Sequence, residues 1–178
     1  MVAANYLDLV RAAVLEDPPL MEVPQSLANG DKDLFVTNEE HQAQYGWQWL
    51  FDLRALPREE RIARGFTLNP NWAKEEIIPW ADSKAELNID ILKPARAAVP
   101  GVRWREVISH IECPILLMTG DPELGAIVTP ETAREATRLW KNGEVSHISS
   151  AGHNFHRDRY DETMAVVRTF LTGLDGIP

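Results

Sequence analysis

The chain has 178 residues, of which 44% are apolar and 25% charged, a composition typical of a folded domain that excludes low-complexity disorder. Its formal net charge of -9 argues against a broad nucleic-acid-binding surface, which needs clustered lysine and arginine. No apolar run reaches the roughly 18 residues of a membrane span, and the first residues lack a signal-peptide pattern. Because Cys113 is the single cysteine, no internal disulfide is expected, and we predict a cytoplasmic protein.

The first 19 residues predict a short helix and a buried strand. Apolar side chains fall at helical spacing within residues 2–10, and a short apolar run follows at 11–15. This run stops at Glu16-Asp17-Pro18-Pro19, because consecutive prolines cannot continue a strand. We interpret Glu16 and Asp17 as a strand-end turn near the mouth of a site. A carboxylate pair or a pair of metal ligands are the alternatives.

Residues 20–100 predict a helical subdomain with polar loops. Helical pieces are expected at about 37–56, 57–65 and 72–92, and no convincing strand alternation interrupts them. Thr37 and Glu40 have the spacing of a capping box, in which each side chain satisfies a backbone amide at a helix start. A separate α-helical segment is therefore expected between two parts of a sheet-containing core.

Residues 101–178 return to an α/β pattern. The apolar run 113–118 is bounded by proline and glycine and predicts a buried strand. Thr129 and Pro130 then suit the N-cap and first position of a helix ending near Trp140. A second strand is predicted at 143–148 and a final helix at 159–171. Strand and helix alternating at this spacing indicate a parallel sheet, whose ligands gather at the carboxyl ends of the strands.

Asp121 and His153 follow the two predicted strands of this last region. An acid that orients a histidine supplies two members of a nucleophile–base–acid triad, so we predict Asp121 as the acid and His153 as the base. His156 is the rival base. A turn-forming Asp-Pro is the structural alternative for Asp121, and His147, inside a strand, is interpreted as structural. Two further histidines, His41 and His110, stay unassigned.

Three segments in order resemble the α/β-hydrolase family. Residues 9–19 resemble its strand after the nucleophile helix, 113–130 its acid-bearing strand and loop, and 147–156 its histidine loop. Residues 20–100 occupy the place of its helical cap. The resemblance implies an α/β fold with a partial parallel sheet at 1–19 and 101–178 and an inserted cap. It also makes Glu123 the alternative acid, because the family often places its acid three residues after the strand-end glycine, here Gly120.

The resemblance implies hydrolysis of an ester or a related bond (lactone, amide or epoxide) in a small apolar substrate, without a cofactor or a metal. Trp47 and Trp80 of the cap would contact the substrate. The family's nucleophile motif, Gly-x-Ser-x-Gly, surrounds none of the serines. We therefore expect the nucleophile upstream of Met1 or on a partner chain, and little activity from the isolated chain.

Two alternatives follow from the missing nucleophile motif. The chain is then a non-catalytic remnant that binds a small molecule or a partner, or one half of a split enzyme. Self-association is also expected if the edges of an incomplete sheet are exposed, because unpaired strand edges attract further strands. Neither a membrane nor a nucleic acid is expected as a partner.

Overall fold

The computed structural model describes residues 2–20, 48–88 and 103–174. Contacts divide the chain into two compact units, residues 1–22 with 102–178 and residues 23–101. Within the described ranges, no helix combines the length and the apolarity needed to cross a bilayer. The predicted capping box at Thr37 and Glu40, the histidine His41 and the predicted substrate contact Trp47 all lie outside the described residues.

The described residues form three strands and eight α-helices. The strands are β1 (Ala13–Glu16), β2 (Ile115–Thr119) and β3 (Gly143–His147). The helices are α1 (Val2–Asn5), α2 (Gln48–Ala55), α3 (Arg58–Leu68), α4 (Lys74–Glu86), α5 (Trp104–Ser109), α6 (Pro130–Leu139), α7 (Phe155–Asp158) and α8 (Tyr160–Gly173). Short 3₁₀ turns occupy Leu7–Leu9 and Pro122–Leu124.

The first unit is built on a parallel sheet in the order β1-β2-β3. Leu15 of β1 pairs with Leu117 of β2, which pairs with Val145 of β3. The predicted α/β class with a parallel sheet is therefore confirmed. Because the strands are parallel, their carboxyl ends all lie at one edge of the sheet. Glu16, Thr119 and His147 are the last residues of the three strands at that edge.

The central strand β2 is buried on both faces, and its side chains alternate between two core clusters. Ile115 and Leu117 point to a cluster that includes the buried apolar residues of α5 and α6. Leu116 and Met118 point to a second cluster, which includes Phe155 at the start of α7 and Phe170 of α8. This is the arrangement of a sheet covered by helices on both faces, and it explains why β2 reads as an unbroken apolar run.

Helix α6 begins as the sequence predicts. Thr129 is its N-cap, and the Thr129 hydroxyl accepts a hydrogen bond from the Thr132 amide at 3.2 Å. Pro130 stands at the first helical position, where its missing amide hydrogen costs nothing. Helix α5 was not predicted as a helix, although buried Trp104, Ile108 and Ile111 stand at helical spacing.

The described part of the second unit is helical, as the sequence predicts. Helices α2, α3 and α4 bury four apolar side chains, Leu50, Leu53, Ile77 and Ala81. The guanidinium of buried Arg61 donates to the Ala81 carbonyl at 2.8 Å and to the Leu56 carbonyl at 2.8 Å. Because each buried donor has an acceptor, Arg61 ties α3 to α4 and to the turn before α3. The function of this unit as a cap stays a prediction.

Candidate functional site

The carboxyl edge of the sheet brings Asp17 and His153 together. His153 Nδ1 donates to Asp17 Oδ2 at 2.8 Å. Asp17 is fully buried, whereas the His153 side chain is 48% exposed. A carboxylate only accepts hydrogen bonds, so the proton of a neutral His153 ring lies on Nδ1. Nε2 then carries the free lone pair, which is the arrangement that a general base needs.

Two backbone amides hold the Asp17 carboxylate in place. The Ile127 amide donates to Oδ2 at 2.7 Å, and the Val128 amide donates to Oδ1 at 2.8 Å. Together with His153, these groups give Asp17 three hydrogen-bond donors. Hydrogen bonds to a charged acceptor are the strong class, and they compensate for removing the carboxylate from water.

The backbone at Asp17 is also unusual. Its φ of 38° lies in the left-handed region, which non-glycine residues seldom adopt, although aspartate is among those that do. Among the described residues, Ser150 (φ 60°) is the other non-glycine residue there. The Asp17 amide donates to the Met118 carbonyl at 3.0 Å, continuing the β1–β2 ladder by one residue. The hydrogen bond to β2 and the left-handed turn at Asp17 therefore both help to direct the Asp17 side chain toward His153.

The predicted contact of Asp121 with His153 is not found. Asp121 instead accepts a hydrogen bond from His147 Nε2 at 2.9 Å on Oδ1 and one from the Ser150 amide at 2.7 Å on Oδ2. The physical reason is that Asp121 lies two residues after the end of β2, which pairs with β3, so that the donors it meets belong to the last residue of β3 and the turn after it. The sequence-based prediction therefore misplaced the acid beside His153, and Asp17 occupies that position.

The other candidate residues have different surroundings. Glu123 is exposed in the 3₁₀ turn, and its side chain makes no hydrogen bond or ion pair within the part of the chain that the structure describes. His156 donates from Nδ1 to Glu16, so the rival base pairs with the carboxylate next to Asp17. His110 lies away from this set and donates to the Glu106 carbonyl at 2.6 Å.

The interpretation of His147 as structural has a local basis. Its Nε2 donates to Asp121, so Nδ1 of the neutral ring accepts from the Thr119 hydroxyl at 3.1 Å. Both ring nitrogens therefore hold the end of β3 to the end of β2.

Two glycines allow the loops of the site to touch. A Cβ on Gly120 would lie 2.5 Å from the Ala151 carbonyl oxygen. A Cβ on Gly152 would lie 2.1 Å from the Leu124 carbonyl oxygen. Neither space holds a methyl group, so glycine is required where the histidine loop packs on the loop after β2.

Asp17 had a signal in the sequence. An Asp-Pro dipeptide follows β1 at Asp17-Pro18, as another follows β2 at Asp121-Pro122. Both aspartates thus follow strands of the parallel sheet, although the β1 side chains are half-buried or exposed rather than buried as the sequence predicts. Sequence distance to His153 favoured Asp121 over Asp17. The pairing depends on β1 and β2 being neighbours in the sheet.

Trp80 is half-buried in the second unit. Its ring meets the Trp72 ring edge-on, with centroids 6.0 Å apart, and Lys84 Nζ lies 4.7 Å from its centroid. These contacts are packing contacts, and contact of Trp80 with substrate stays a prediction. No group of three or more metal-ligating side chains occurs within residues 2–20, 48–88 and 103–174.

No family model and no curated protein matches the sequence. Solved structures do match. An N-formylmaleamic acid deformylase from Pseudomonas putida S16 aligns at a TM-score of 0.60 and 16% identity, over 93% of this chain and 59% of its own. An M. tuberculosis esterase aligns at a TM-score of 0.57 and 17% identity, over 96% of this chain and 57% of the esterase. The α/β-hydrolase enzyme MGS-M2, from a Medee basin deep-sea metagenome library, aligns at a TM-score of 0.53 and 17% identity, over 96% of this chain and 59% of that enzyme.

These likenesses, with the parallel sheet and its crossover helices, show that the chain has the α/β-hydrolase fold. More particularly, the described residues correspond to the C-terminal portion of that fold, as the sequence resemblance implies. The chain spans about three-fifths of the length of the solved chains it matches.

Proposed function

We propose that this chain supplies the base and the acid of a hydrolase site, with His153 as the general base and Asp17 as the acid that orients it. The observation that carries the proposal is the 2.8 Å hydrogen bond from His153 Nδ1 to the buried Asp17 carboxylate. It leaves Nε2 free on a half-exposed ring at the carboxyl edge of a parallel sheet, where ligands of such sheets bind.

The chemistry follows from the tautomer. His153 Nε2 takes a proton from the attacking hydroxyl group or water and later returns it to the leaving group. Asp17 keeps the proton on Nδ1 and stabilises the imidazolium while Nε2 is protonated. The Ile127 and Val128 amides hold the carboxylate still, so little reorganisation is needed during proton transfer.

The substrate class that we propose is a small apolar ester or a related lactone, amide or epoxide. Gly-x-Ser-x-Gly occurs nowhere in the 178 residues, so we propose that the nucleophile of full turnover comes from outside them. The matched solved chains, which are longer, support this proposal. The same missing motif favours a second candidate function, small-molecule binding without chemistry.

The test compares p-nitrophenyl acetate and butyrate hydrolysis by the purified chain, His153→Ala, Asp17→Asn and His110→Ala. With water as the nucleophile, the parent should release p-nitrophenol slowly. His153→Ala should lose about 10²-fold or more of that rate, since general base catalysis contributes this much. Asp17→Asn should be slowed as well, and His110→Ala should match the parent. Equal rates in the parent and in folded His153→Ala would contradict the proposed base and favour the binding function.

A further inference from the structure

Asp121 is the centre of a hydrogen-bond network that the proposed reaction does not use. Its carboxylate accepts from His147 Nε2 at 2.9 Å and from the Ser150 amide at 2.7 Å. Its own amide donates to the Ala151 carbonyl at 2.7 Å. Asp121 therefore binds the end of β3 and two successive residues of the turn that leads to His153.

The turn that Asp121 holds is strained and short. Ser150 has a φ of 60°, in the left-handed region, so its backbone needs an external contact to stay in that conformation. The Asp121 carboxylate provides that contact through the Ser150 amide. His153 follows three residues later, and Ala151 and Gly152 between them are buried. A change of backbone direction at Ser150 would therefore displace the His153 ring.

The loop that begins at Asp121 also reaches the acid of the proposed site. The amides of Ile127 and Val128, in the same loop, hold the Asp17 carboxylate. Asp121 itself fixes the near end of this loop, because its carbonyl accepts from the Leu124 amide at 2.9 Å and the Ala126 amide at 3.2 Å. One loop thus contacts the acid at one end and the histidine turn at the other.

We infer that Asp121 is a positioning residue that, with His147 as its partner, holds the His153 turn so that the ring meets Asp17. The inference rests on the proposed function, in which the Asp17–His153 pair is the working unit. It assigns to Asp121 a role through the backbone of Ser150 and Ala151 rather than through the imidazole. The Thr119 hydroxyl supports the same network from β2 by donating to His147 Nδ1.

The experiment uses ¹⁵N-labelled chain and reads two signals by NMR, the tautomer of the His153 ring and the hydrogen-exchange rate of the Ser150 amide. The variants are Asp121→Ala, which removes both acceptors, and Asp121→Asn, whose amide can accept from Ser150 and can donate to His147 Nε2 once the His147 ring carries its proton on Nδ1, facing the Thr119 hydroxyl. Glu123→Ala is the matched control, because Glu123 is an exposed acid two residues away in the same turn. Asp17→Ala tests the proposed function separately.

Asp121→Ala should lose the fixed Nδ1-protonated tautomer of His153 and speed exchange of the Ser150 amide about 10-fold, as expected for one charge-assisted hydrogen bond. Asp121→Asn should keep the tautomer and stay within about 3-fold of the parent rate, because it retains both contacts. Glu123→Ala should show the same His153 tautomer and the same Ser150 exchange rate as the parent. Rescue by the amide is a result that a general loss of stability would not produce.

A fixed tautomer that survives in folded Asp121→Ala would overturn the inference while leaving the Asp17–His153 pair intact. A parent that shows no fixed tautomer, or one unaffected by Asp17→Ala, would instead contradict the proposed function. If Asp121→Ala does not fold, His147→Ala tests the inference in its place. The His147 ring is 46% exposed, so its removal costs little packing. Faster exchange at Ser150 in His147→Ala supports the inference, and an unchanged rate overturns it.

Discussion

Asp17 and His153 are 136 residues apart in sequence, and their side chains are joined by a 2.8 Å hydrogen bond. The bond forms because β1 and β2 are adjacent parallel strands, and because the histidine turn after β3 folds back over the carboxyl edge of the sheet. Burial of Asp17 and exposure of the His153 ring give the pair one fixed end and one end open to solvent.

Replacing Asp17 by alanine should destabilise the first unit strongly. The change leaves the Ile127 and Val128 amides and His153 Nδ1 without their acceptor, and an unsatisfied buried donor costs about 1–3 kcal/mol. We expect a loss of about 2–5 kcal/mol in the free energy of unfolding, measured by urea denaturation. Asp8→Asn, an exposed acid of the same unit, is the control and should stay within about 0.5 kcal/mol of the parent. A loss below about 1 kcal/mol for Asp17→Ala would contradict the importance of these contacts.

Replacing Gly152 by alanine should destabilise the chain and slow any reaction that depends on His153. The added Cβ would meet the Leu124 carbonyl oxygen at 2.1 Å, so the two loops must separate. Overpacking of this kind costs about 1–3 kcal/mol in the free energy of unfolding. Gly173→Ala is the matched control, because open space surrounds that position in α8, and it should stabilise by about 0.5–1 kcal/mol. Thermal and urea unfolding of both variants would measure the difference, and equal stabilities would refute the steric argument.

The stability that Asp82 contributes should depend on pH. The Arg58 guanidinium binds both carboxylate oxygens of Asp82, at 2.8 and 2.7 Å, and this hydrogen bonding holds the pKa of Asp82 below its usual value. Because the folded pKa is lowered, the contribution is fully present above the ordinary aspartate pKa. It disappears as the pH falls through the folded value.

The measurement compares urea unfolding of the parent and Asp82→Asn between about pH 7 and pH 3. The parent should be the more stable at neutral pH, and the two curves should converge as the pH falls. Glu60→Gln, an exposed acid of α3, is the control for general loss of negative charge. A difference that stays constant down to the lowest pH would show that the Arg58 contact does not depend on the charge of Asp82.

Cys113 should be a slowly reacting thiol. Burial raises the pKa of Cys113 above its ordinary value, and the thiolate is the reactive form. Alkylation by iodoacetamide, followed by mass spectrometry at about pH 8, should therefore be several-fold slower in the folded chain than in the same chain in urea. When the alkylation rate is measured against pH, its midpoint should lie at a higher pH in the folded chain than in the chain in urea. Equal rates in the two conditions would contradict this prediction.

Three elements show which parts of the secondary structure the local sequence pattern predicts. The apolar run of β2 predicts a central strand, because a strand covered on both faces has no polar side to show. Thr129 and Pro130 predict the start of α6, because a cap and a first-turn proline act through adjacent atoms. The sequence pattern does not predict helix α5, because its six residues span fewer than two helical turns and so show little periodicity.

The sequence by itself determined the alternation of strands and helices, the α/β class, and His153 as a candidate at a strand end. These depend on the side-chain period and on glycine and proline, which are local properties. Tertiary structure alone decided which acid meets that histidine. Asp17 and Asp121 both precede proline and both follow short apolar runs of sequence, so their local sequences are equivalent. The order of strands in the sheet and the left-handed turns at Asp17 and Ser150 separate them, directing one carboxylate to His153 and the other to the backbone that carries it.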